Sequence, residues 1–178
     1  MRGGHALGAM LAVGLLLGCG ATKMPPSVRH PLMNQEAPSF EADASGVRTV
    51  GVPGDFLTKV TVLDFWASWC AACTVSMPAL DALFRRRQSD GVMVVGVSVD
   101  ESEGAAAYMA QRLGTSFPIV MDPNRNIANE YGVFQVPLTF VIDGNSRVRW
   151  VGNDPEAARR AVDVVLAEGL GGRRPVLE

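Results

Sequence analysis

Cys70-Ala71-Ala72-Cys73 stands directly behind the apolar run Val60-Thr61-Val62-Leu63-Asp64-Phe65-Trp66, and an amphipathic helical pattern begins at its second cysteine. A strand that delivers two cysteines to the first turn of a helix makes a thiol reactive. The helix start carries unpaired backbone N–H groups and about half a positive charge, which favour a thiolate over a thiol. Two intervening residues let one helical turn bring both sulfurs within bonding range. Cys70 is then the attacking thiolate, in the class of sites with thiol pKa values of about 3.5–7.5. Cys73, one turn in and more buried, is the resolving thiol. Cys70 attacks a substrate disulfide, a mixed disulfide forms, and Cys73 displaces the reduced product. The competing reading is a pair of inert core cysteines. Trp69 and the strand-to-helix break argue against it, because they place the pair at the surface.

Asp64 is an acid inside an otherwise apolar strand. Burial without a cation raises a carboxyl pKa and suits the group to proton exchange near neutral pH. The bland alternative is a buried acid satisfied by local hydrogen bonds or by Lys59.

The resemblance is wider than two cysteines. Phe65-Trp66-Ala67-Ser68-Trp69-Cys70 resembles the active-site entry of thioredoxins, and Pro78 matches the proline that kinks their active-site helix. Asp64 matches their buried acid, and Val136-Pro137 matches their cis-proline. Ala37-Pro38-Ser39-Phe40 and Gly96-Val97-Ser98-Val99-Asp100 are similar to the TlpA/ResA-like, membrane-tethered branch. The similarity runs from about residue 37 to 168. It implies an α/β thioredoxin fold, a central mixed sheet flanked by helices, with an N-terminal strand pair and a central strand–helix insertion. It implies a thiol–disulfide oxidoreductase with no cofactor, a role for Asp64 in deprotonating Cys73, and a substrate rim of Trp69, Val136 and Pro137. A proline there removes an N–H and leaves a strand edge beside the sulfurs, where substrate backbone can pair.

Three residues depart from the family pattern. Ala71-Ala72 lacks the usual proline before the second cysteine, Ser76 stands where the branch often has glutamate, and Val136 replaces a frequent threonine. Redox potentials in the family span roughly 150 mV, about 7 kcal/mol for a two-electron couple, and the intervening dipeptide is one lever on that value. By resemblance the direction is reduction of selected protein disulfides, such as those of apocytochrome c, with electrons from a membrane donor.

The ends suggest export. Arg2 followed by the apolar stretch Ala6 to Gly18 reads as a secretory signal over residues 1–18. Leu16-Leu17-Gly18-Cys19 resembles a bacterial lipobox, so Cys19 is expected to carry lipid and hold the chain to a membrane on the periplasmic side. That assignment also removes the odd member of three cysteines. Residues 19–36 read as a lipidated tether, 37–170 as the domain and 171–178 as a loose tail. A flexible tether of that length has an end-to-end distance on the order of 20–25 Å.

Net charge is −2 with pI near 5.7 and there is no basic stripe, which argues against nucleic acid as a partner; a monomer is expected. Arg85-Arg86-Arg87 reads as a solvated helix end. A peroxiredoxin would need a proline and a Thr or Ser at the positions held by Leu63 and Ala67. A copper chaperone would want a histidine beside the thiolates, and only His5 and His30 are available.

Periodicity places strands near 39–42, 48–52, 59–66, 92–99, 117–121, 138–142 and 147–151. It places helices at 71–88, 101–112, 125–131 and 155–169, the last capped by Asn153 or Asp154. Val75, Leu80, Leu83 and Phe84 are expected on the apolar face of the first helix.

Overall fold

A computed structural model describes residues 23–44, 47–52 and 59–171. The chain runs β1 (Phe40–Ala44), β2 (Val47–Val52), β3 (Val60–Trp66), α1 (Cys73–Arg87), β4 (Val92–Ser98), α2 (Glu103–Arg112), β5 (Ile119–Met121), α3 (Asn126–Glu130), β6 (Leu138–Asp143), β7 (Val148–Gly152) and α4 (Pro155–Gly171). One sheet takes the order β2-β1-β5-β4-β3-β6-β7. This is the thioredoxin-like α/β architecture, with β1–β2 as the N-terminal strand pair and α2–β5 as inserted material.

β3 lies near the middle, parallel to β4 and antiparallel to β6. Every residue of β3 is buried, as a strand covered on both faces requires. Phe65, Tyr131 and Phe140 pack edge-on or tilted with ring centroids 5.2–5.8 Å apart. α1 and α4 pack on each other and on the sheet. Asp154 caps α4, its carboxylate accepting the Glu156 N–H at 3.0 Å.

Two expectations need correction. α1 buries Cys73, Ser76, Met77, Leu80, Asp81 and Leu83, whereas Val75 is 72 % exposed. Residues two apart point to different sides of a helix, so a stripe through Cys73 and Met77 turns Val75 outward.

The second correction concerns the tether. Residues 24–36 are bonded to the domain as a strap along the outer edge of β7. The Val28 N–H donates to the Val151 carbonyl and the Asn34 N–H to the Val148 carbonyl, both at 2.9 Å. The Val148 N–H returns a bond to Gln35, and the Trp150 indole N–H reaches the Pro26 carbonyl at 2.8 Å. Arg147 also donates to the Asn34 carbonyl. Prolines and missing periodicity describe a segment without regular structure of its own. They do not prevent it from pairing with an open strand edge. The signal segment, Cys19 and residues 172–178 lie outside the described residues.

Candidate active site

The site grows from the C-terminal end of β3. Beyond Trp66 the chain turns, and the Cys70 N–H donates back to the Ala67 carbonyl at 3.1 Å. This turn is pinned by Asp100, which follows β4. The Asp100 carboxylate accepts the Ser68 N–H at 2.8 Å, the Ser68 hydroxyl at 2.7 Å and the Ser98 hydroxyl at 2.8 Å. Trp66 and Ser98 are register partners, so the two parallel strands deliver Ser68 and Asp100 to the same place.

Cys70 and Cys73 form a disulfide with Cα atoms 5.3 Å apart. The Cys73 N–H, the first amide of α1, points at Cys70 Sγ over 3.1 Å. A backbone donor aimed at that sulfur favours negative charge on it, as the start of a helix should. The pair is set deeper than a surface location implies, Cys70 being 6 % exposed and Cys73 1 %. Trp69 beside them is 68 % exposed and stands at the rim. The helix starts at Cys73 rather than at 71, because Ala71 and Ala72 belong to the entering turn.

The Val136–Pro137 peptide bond is cis. Leu138 pairs with Phe65, so Val136–Pro137 continues past the end of β3 toward the Cys70 turn. Phe134, two residues earlier, is 89 % exposed.

Asp64 is fully buried, with its register partners Gly96 on β4 and Thr139 on β6. The Thr139 hydroxyl donates to Oδ1 at 2.7 Å, while Oδ2 has no partner. Burial pushes the carboxyl up to about 7, and the Thr139 hydrogen bond opposes that rise. Lys59 is exposed at the head of the strand and contributes nothing to that shift. Gly96 leaves the room used by Trp66, whose indole nitrogen would stand 3.0 Å from a side chain there.

The structure therefore brings Cys70, Cys73, Trp69, Val136 and Pro137 to one end of the sheet, with Asp64 two residues inside β3. His30 is elsewhere: its Nδ1 accepts the Leu32 N–H at 3.2 Å and its ring packs edge-on against Phe140. Among the described residues no group of three or more His, Cys, Asp or Glu side chains is arranged to hold a metal ion. Sequence reasoning missed Ser68, Asp100 and Thr139. Their one visible signal was polar residues in or directly behind buried strands.

The sequence is 38 % identical over 95 residues to the thiol-disulfide oxidoreductase ResA of Geobacillus thermodenitrificans, covering 53 % of this chain and 55 % of that protein. It is 32 % identical over 129 residues to the thiol:disulfide interchange protein HelX of Rhodobacter capsulatus, covering 72 % of this chain and 65 % of that protein. The match thus spans little more than half of the ResA relative. A solved structure of a DsbE-type thiol:disulfide interchange protein from Chlorobium tepidum superposes with a TM-score of 0.69 at 29 % identity, covering 75 % of this chain and 97 % of that one. A family model matches residues 33–151, from the strap through β7, and the chain belongs to the AhpC/TSA family.

Proposed function

We propose that this chain is a thiol–disulfide oxidoreductase that reduces selected protein disulfides through Cys70 and Cys73. The observation that carries the reading is the Cys70–Cys73 disulfide at the start of α1 with a backbone N–H directed at Cys70 Sγ. In the reduced enzyme Cys70 thiolate attacks one sulfur of a substrate disulfide, and the other substrate sulfur leaves as a thiolate. Cys73 then attacks Cys70 Sγ, closing the enzyme disulfide and releasing the second substrate thiol. Two electrons pass to the substrate, and a dithiol donor restores them. Cys73 must lose its proton for the second step. Asp64, buried on the strand that leads to Cys70 and titrating near 7, is the group that exchanges it. Pro137 and Val136 supply the strand edge against which substrate backbone lies, and Trp69 the rim.

The rest of the reading places this activity on a membrane. Cys19 carries lipid, the domain faces the periplasm, and the donor is a membrane protein. Among candidate substrates are the disulfides formed in apocytochrome c before haem attachment. The lipobox-like Leu16-Leu17-Gly18-Cys19 supports the anchor, as does the resemblance to tethered relatives.

Cys70→Ser is expected to abolish reduction of insulin disulfides by dithiothreitol-regenerated enzyme, and Cys73→Ser to accumulate mixed disulfides at Cys70. Full turnover by Cys70→Ser would refute the assignment. Mass spectrometry of the membrane fraction is expected to show an acylated peptide beginning at Cys19.

A further inference from the structure

The strap fixes which end of the domain its N-terminal segment reaches. Residues 24–36 run antiparallel to β7, with Val28 opposite Val151 and Asn34 and Gln35 opposite Val148. β7 ends at Gly152, the register partner of Thr139, only two residues beyond Pro137. The early part of the strap, Pro26 to Val28, therefore lies at the Cys70 end of the sheet. Pro26 is held there by the Trp150 indole at 2.8 Å, and the Ser27 hydroxyl donates to the Val151 carbonyl at 2.8 Å. From β3 across β6 and β7 to the strap is three strand spacings, about 14 Å. The chain preceding Met24 thus joins the body at the same end of the sheet as the reactive disulfide, about three strand spacings to the side. The Asp143–Ser146 turn, at the other end of β6 and β7, marks the far end, roughly 20 Å away along the strands.

That same end carries the three most exposed large hydrophobic side chains among the described residues: Phe134 at 89 %, Val75 at 72 % and Trp69 at 68 %. Phe134 and Trp69 come from the two loops that supply Pro137 and Cys70.

We propose that the Cys70 end of the sheet faces the membrane at short range, so that the protein exchanges disulfides with thiols held close to the bilayer surface. This rests on the proposed anchor at Cys19. From Cys19 to the packed Met24 is five residues, a reach of at most about 18 Å. The strap replaces a long swivelling tether with a short one attached at the working end. Partners are then dithiols and disulfides of membrane-held proteins, with an apolar rim to meet them, rather than proteins free in the periplasm.

The test uses the full lipidated chain in phosphatidylcholine vesicles containing dihydrolipoyl-phosphatidylethanolamine, a dithiol confined to the surface. Its two electrons and two protons pass to Cys70–Cys73, leaving the lipoyl disulfide. The comparison chain has Cys19→Ser and carries its lipid on Asn145→Cys, attached while Cys70–Cys73 is oxidised. Asn145 is exposed in the far-end turn. The lipid dithiol is expected to reduce the Cys19-anchored chain faster by about tenfold or more, as expected when an effective concentration is lost to geometry. Soluble dithiothreitol is expected to reduce both chains equally. Equal rates with the lipid dithiol would overturn the proposal, and so would a membrane-purified chain with no lipid at Cys19. Burial of Trp69 and Phe134 in the lipid itself would also overturn it, seen as quenching of Trp69 by acyl-chain spin labels together with loss of reduction. Insulin turnover by the same preparations reports on the oxidoreductase reading independently of orientation.

Discussion

Asp64 and Asp81 are both buried carboxyl groups, one under the active site and one on α1, and they are treated in opposite ways. Asp81 accepts the Ser116 N–H and hydroxyl, each at 2.6 Å, and the Arg85 guanidinium at 2.6 Å. Burial pushes its pKa up, but those donors outweigh burial and hold it below the usual carboxylate value. Asp64 has one neutral donor and one oxygen with none, and burial carries it to about 7. A buried acid that is fully bonded stays charged and serves the scaffold. One left half-bonded two residues inside the strand that leads to Cys70 titrates near neutral pH, as the proposed proton transfer requires.

The largest break in this comparison is Asp81→Ala. It leaves the Ser116 donors without an acceptor and Arg85 without its partner, so a loss of about 3 kcal/mol in unfolding free energy is expected. Denaturant midpoints should show it, with insulin reduction per folded molecule unchanged. The contribution of Asp81 in the wild type is present above the unfolded carboxyl pKa and fades as pH falls through it, because the folded value is depressed.

Asp64→Asn should act with the opposite sign. The folded value is raised from 3.8 to about 7, so between these limits the folded protein holds a proton that the unfolded chain has lost. Stability is therefore full near the unfolded value, falls as pH rises, and levels off above the folded value. Asparagine never ionises, so the variant is expected to gain on wild type by about 1 kcal/mol or more at pH 8 and to show no advantage at pH 4. Its mixed-disulfide resolution should be slower near neutral pH and lose its pH dependence there. If single-turnover rates match wild type at every pH, Asp64 is structural.

Thr139→Val sharpens the comparison with a smaller effect. Removing the one donor to Asp64 should move its titration above 7, by an amount worth about 1 kcal/mol for a buried hydrogen bond. The carboxyl infrared band of the protonated acid should persist to higher pH, and Thr139→Ser should restore the wild-type midpoint.

How much of this was readable in advance depended on distance along the chain. Cys70, Cys73 and the buried β3 run were legible because a continuous apolar strand, a turn and a helix start are local signals. The Asp154 cap and the two strands near 138–142 and 147–151 were legible for the same reason. Thr139 meets Asp64 across 75 residues and Ser68 meets Asp100 across 32, and only sheet register joins such pairs. Val75 was misplaced because apolar character alone does not set helix phase; Cys73 and Met77 set it here. The strap escaped because its bonds are made by backbone groups, whose pairing leaves no periodic mark on side chains.

That strap has a practical consequence for anyone trimming the protein. Without residues 23–36, β7 would offer the carbonyls of Val148 and Val151 and the Val148 N–H to any passing strand. A fragment beginning near residue 37, just past the strap, would carry a sticky border along its last strand, and self-association in solution is the foreseeable result.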